Sequence, residues 1–262
     1  EKGLRLKPDD TRLILELDHL YQHAGKTEKR FRLYENHKDI IELSDDLVLR
    51  YCQLNIKNEN FDEAITWMTD HTFFPREANH VEPVVITIYA EAFIGKGIKM
   101  LEVENYSEAL DLFHKARNFP SNLNDIAPEI FVTTRLDYYT GLALKGIGRK
   151  QDANRLWQNS INSPLRKGFE CEVYLAKILK ETGNNDKAEQ LIQNLVILNL
   201  EKIKVLTESA SLSVAHITLY EAFKMLNEDQ KAQIHLKKAL DYNKDAILKS
   251  RIQAAHVPII ST

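Results

Sequence analysis

One spacing recurs along this chain, and it favours an array of paired helices over most other folds. In ENYSEALDLFHKARNFP, residues 104 to 120, the small Ala109 has Tyr106 three places before it, Phe113 four after it and Ala116 seven after it. Residues three, four and seven apart share one helix face, so these four make one inward stripe. Gly97, twelve places before Ala109, would let a preceding helix approach closely. The frame returns as Gly141, Gly148, Ala153 and Trp157; as Ala176, Gly183, Ala188 and Ile192; and as Cys52, Phe61, Ala64 and Met68. The copy nearest the C-terminus carries Phe223, Ala232, Leu236 and Ala239. The copy nearest the N-terminus is degenerate: it keeps Tyr21, Gly25 and Tyr34, but Arg30 replaces the small residue.

The frame positions 30, 64, 109, 153, 188 and 232 are separated by 34, 45, 44, 35 and 44 residues. Two intervals match the tetratricopeptide period and three exceed it by about ten residues. Over nearly all its length the chain resembles a six-unit tetratricopeptide (TPR) array. The fold expected from this resemblance is all-α, a right-handed solenoid of about six helix–turn–helix hairpins with loops inserted between units. The units fall near 11–37, 45–71, 90–119, 134–162, 169–196 and 213–242, with a capping helix near 244–255. Insertions are expected at 72–82 and at PSNLNDIAPE, 120–129, both rich in loop formers. The third excess falls near 207–213 or in a longer preceding helix.

Composition narrows the function classes. Apolar residues make up 44% and charged ones 28%, as in an ordinary globular protein, and 35 basic against 38 acidic side chains leave a formal charge of −3. No basic excess points to nucleic acid, and no apolar run reaches the length of a membrane span. Cys52 and Cys171 sit in no pairing or ligand pattern, which favours buried thiols and a cytoplasmic setting.

Several motifs tempt and fail. Ala24 to Thr27 reads AGKT, like the end of a phosphate loop, but the glycine that loop requires five places before Gly25 is replaced by Leu20. GIGRKQ, 146 to 151, lacks a preceding strand and a third glycine. Both read as turns between helices. His71 and His80 flank an inserted loop, but a metal would need two further ligands and only Glu77 and Glu82 are nearby. The paired Asp residues at 9–10 and 45–46 suit helix N-termini. No catalytic constellation, metal or cofactor is expected.

In a TPR array the first helix of each hairpin lines a concave surface. The positions three before and one after its close-approach residue include Ile94, Ile98, Tyr138, Leu142, Val173 and Lys177, with Arg135 close by. Co-chaperone arrays place Lys and then Asn at these positions, and no unit here does. The expected groove is apolar in its middle, and such a face either has a partner or is filled by the inserted loops folding back into it. Loops on a rigid scaffold also carry recognition, which singles out His71, Arg76, His80, Asn122 and Asn124.

A closer resemblance covers residues 11 to about 161. The stretches LELDHLYQHAGKTEKRFRLYENH, RYCQLNIKNENFDEAITWM, NYSEALDLFHKARNFPSNLN and DYYTGLALKGIGRKQDANRLWQ are similar to a TPR region found in bacterial proteins after a galactose-mutarotase-like β-sandwich domain of unknown function. The first inserted loop departs from that group, reading FFPREANHV where the group carries a Trp/Gly-rich run. The resemblance implies a link to carbohydrate-active proteins, a sugar site in a β domain outside this chain, and a chain that begins mid-protein. The expectation is a non-catalytic scaffold whose groove docks a protein partner or another domain of the same polypeptide. The alternative is an accessory region lending loop residues to a sugar site.

Overall fold

The computed structural model describes residues 2–74, 84–124, 133–163 and 171–242, apart from the side chains of Val84, Thr133 and Ala210. Within them the chain is all-α. A short α1 (Lys2–Leu6) precedes the pair α2 (Thr11–His23) and α3 (Thr27–Glu35), and α4 (Lys38–Ile41) is a single turn. Four pairs follow: α5 (Asp45–Lys57) with α6 (Phe61–Asp70), α7 (Val84–Glu102) with α8 (Tyr106–Arg117), α9 (Thr133–Gly146) with α10 (Lys150–Asn162), and α11 (Cys171–Glu181) with α12 (Asn185–Val205). The last pair is α13 (Ser209–Met225) with α14 (Asp229–Tyr242), and a 3-10 turn occupies Ser121–Leu123.

All six pairs turn in the same way. A residue in the left-handed region stands two places before each second helix: Gly25, Glu59, Glu104, Gly148, Gly183 and Asn227, with φ between 58° and 83°. In each turn the next N–H donates to the carbonyl five residues back, from Lys26 to Tyr21 (2.8 Å) through to Glu228 to Phe223 (2.9 Å). The left-handed residue donates to the carbonyl three back. These two bonds make the Schellman termination, which satisfies the carbonyls that a helix end leaves open. The Gly25 and Gly148 turns were legible as turns, and the Lys26 N–H that a phosphate loop would use is committed to Tyr21. Glutamate at such a φ carries a cost of about 1–2 kcal/mol. Glu104→Gly is therefore expected to stabilise the protein by roughly 0.5–1 kcal/mol, read as a higher denaturation midpoint.

The frame residues are the seams of the pairs. Ala64, Ala109, Ala153, Ala188 and Ala232 are buried. A Cβ placed on Gly97 would lie 2.4 Å from the Phe113 ring, and one on Gly141 would lie 2.1 Å from the Trp157 indole. Glycine is required there for close approach. The degenerate copy solves the same seam with charge. Asp18 and Arg30 occupy the facing positions, both fully packed, with Nε–Oδ1 at 2.6 Å and Nη2–Oδ2 at 3.1 Å. Arg50 reaches the same carboxylate from α5.

Every substantial helix contact among the described residues joins helices adjacent in the chain, or the first helices of successive pairs. The excess spacing before the last pair is the length of α12, 21 residues, so a longer helix rather than a loop accounts for it. The expected cap at 244–255 lies outside the described residues. No described helix is long and apolar enough to cross a membrane.

Candidate functional site

The side chains expected to line an open groove are instead packed inside the chain. Ile94, Ile98, Leu142 and Val173 are each at most 4% exposed, and Arg135 and Tyr138 are 3% and 5% exposed. This corrects the expectation of an apolar face open to a partner. The physical reason is that neighbouring first helices fill the space between them with their own pairs. Arg135 on α9 holds Glu91 on α7 through two bonds, 3.1 and 2.8 Å, with both partners buried. Lys177 on α11 holds Glu221 on α13 at 2.9 Å. Lys145 and Glu181 join α9 to α11 at 3.1 Å.

Aromatic rings occupy the centre of this row. Tyr138 and Tyr174 lie 5.7 Å apart, and the Tyr139 and Tyr174 hydroxyls share a 3.4 Å contact. The Lys177 ammonium sits 4.8 Å from the Tyr174 ring centroid and 5.8 Å from that of Tyr138. Cations over tyrosine faces are attracted by the ring quadrupole. Burial opposes the charge on Lys177, but Glu221 and the tyrosines outweigh it, and its pKa is raised. Burial pushes the Tyr138 and Tyr139 phenols up, which keeps both protonated. The row is thus a closed set of oppositely charged side chains, each placed against its counter-ion.

The loop candidates divide. Arg76 and His80 lie outside the described residues. His71, Asn122 and Asn124 come together as a clamp. The Asn122 amide donates to the carbonyls of His71 (2.7 Å), Met68 (3.1 Å) and Thr69 (3.2 Å), closing the C-terminal end of α6. Asn124 donates to the Phe73 carbonyl at 2.6 Å, and Phe73 N–H donates to the Asn122 carbonyl at 2.9 Å. His71 Nε2 meets Asp45 Oδ1 at 2.8 Å, while Asp45 Oδ2 accepts from Phe74 N–H at 2.9 Å. The segments that follow α6 and α8 are therefore tied together at their roots. The two asparagines hold backbone and His71 holds Asp45, a structural use of residues singled out for recognition.

One open cleft lies beside this clamp, about 450 Å³, lined by Trp67, Glu63, Lys38, Glu42, Asp70 and His71 among others. Its floor is internally satisfied. Glu63 accepts from Trp67 Nε1 (3.0 Å) and from the Tyr51 hydroxyl (3.3 Å), with Lys38 at 3.3 Å. Burial would raise the Glu63 pKa, but these donors hold it below the usual carboxylate range. Both cysteines are buried and unbridged, and burial pushes the Cys52 thiol up. No group of three or more metal-ligating side chains forms among the described residues. No protein-family model matches the chain, and no curated protein matches it.

Sequence reasoning missed Glu91 and Glu181 among the acidic partners in the inner row. Glu91 and Arg135 are 44 residues apart, as are Lys177 and Glu221, and that is the interval between the corresponding frame positions. Opposite charges one repeat interval apart on first helices were the available signal.

Proposed function

We propose that this chain is a right-handed tetratricopeptide-like solenoid of six hairpins. It serves as a non-catalytic interaction or scaffold module for a protein surface, including that of another domain of the same polypeptide. The contact pattern supports this reading: helices meet their chain neighbours and the first helices of adjacent pairs, through one turn geometry used six times. Arrays built this way hold a long surface in fixed shape, each unit stabilised by its neighbours. Because the inner row is occupied by the chain's own ion pairs and rings, this reading assigns partner contact to the outward faces. The sugar-site alternative draws no support from Asn122 and Asn124, whose amides are spent on backbone carbonyls.

The test is a calorimetric titration of the chain with a separately expressed galactose-mutarotase-like domain of the kind the resemblance implies, followed by hydrogen exchange of the mixture. Binding at about micromolar strength or tighter, with protection confined to outward positions, is the expected result. Absence of heat together with an unchanged exchange pattern would overturn docking to that domain.

A further inference from the structure

The terminal pair contains two buried imidazoles that face each other. His216 on α13 and His235 on α14 are 3% and 8% exposed, with their Nδ1 atoms 2.8 Å apart. A contact of that length carries one proton: one Nδ1–H donates and the other Nδ1 accepts. The rings are held between aromatic plates, Tyr242 stacked on His216 at 5.8 Å and Phe223 on His235 at 5.4 Å. Beside them the Ser213 hydroxyl donates to the Ala239 carbonyl at 2.9 Å, a further polar tie between α13 and α14. From α12, Val196, Leu200 and Ile203 pack against the apolar cluster of this pair.

We infer that His216 and His235 form a proton-operated latch, which holds α14 against α13 while the pair is neutral and releases it on acidification. One added proton can reside on an Nε2 while Nδ1–H still bridges the rings. A second sets N–H against N–H and breaks the bond. Burial opposes both protonations. Among the described residues, Lys238 on α14 is the charged group acting on both rings, and it adds repulsion. Lys231, over the Phe223 ring, is paired with Glu228, and α13 and α12 bring no carboxylate to the imidazoles. Release would uncover the apolar seam of Ile217, Tyr220 and Phe223.

The sign follows from the two states. Burial, His216 and Lys238 push the His235 pKa down to about 4, whereas an unfolded histidine titrates near about 6.5. Stability of the pair is complete above the unfolded value and falls as the pH drops from there toward the folded one. At about pH 5 one such histidine raises the opening equilibrium about 20-fold over neutral pH, and His216, also lowered, adds to it.

Hydrogen exchange of the whole chain, corrected for intrinsic rates, tests this at neutral pH and about pH 5. The expected result is a rise of that size in the opening of 229–242, with α7 and α8 changed far less. Equal opening of α14 at both pH values overturns the latch. His235→Gln keeps a hydrogen-bonding partner for His216 but does not titrate, so its α14 should lose most of the pH dependence; a full wild-type response in this variant overturns the assignment. Should the variant fail to close at neutral pH, imidazole NMR of the wild type decides. Depressed titration of the pair supports the latch, and ordinary titration of both rings overturns it.

Discussion

Asp18→Ala is expected to destabilise the first pair by about 3–5 kcal/mol. The carboxylate is fully buried and is the counter-ion of Arg30, itself 3% exposed, and of Arg50. Its removal leaves a guanidinium desolvated without a partner, which costs more than the pair contributes. The loss should appear as early exchange and proteolysis across α2 and α3, the two helices that this pair joins. Asp18→Ala combined with Arg30→Ala should cost less than the sum of the two single changes. An additive result would show that the two charges do not stabilise each other.

Trp157→Ala is expected to cost about 3–5 kcal/mol. Its indole is 1% exposed, fills the seam over Gly141, and donates Nε1–H to the Asp137 carbonyl at 3.2 Å. Gly141→Ala attacks the same contact from the other side and should cost about 1–3 kcal/mol by overpacking. The informative comparison is the pair of changes together. With the indole gone, the added methyl has room, so Gly141→Ala should be far less harmful in the Trp157→Ala background. Equal cost in both backgrounds, measured by denaturant unfolding, would mean that the close approach does not set the requirement for glycine.

Much of this architecture was legible because its causes are local or periodic. Helix periodicity carries the inward stripe of Ala109, Phe113 and Ala116, and the Gly97–Phe113 and Gly141–Trp157 contacts follow from one spacing between two helices of a pair. The turns at Gly25, Gly148 and Gly183 announce themselves through the residue that tolerates positive φ. Glu59, Glu104 and Asn227 adopt the same backbone without that signal. There the two Schellman bonds and the packing of both helices hold a residue where it would not go by itself.

The candidate site was less legible. Residue types marked Ile94, Tyr138 and Lys177 as first-helix positions, and they are, but exposure is a property of what stands opposite. For Arg135 that is Glu91 and for Lys177 it is Glu221, each a repeat interval away. The clamp of Asn122 and Asn124 on the α6 end likewise joins residues about fifty apart. By itself, then, the sequence determined the helices, their pairing and the small or charged residues at each seam, because these depend on periodicity within some thirty residues. Tertiary structure alone decided which polar side chains are spent between the helices, since a buried charge is tolerated only where folding has brought its counter-ion.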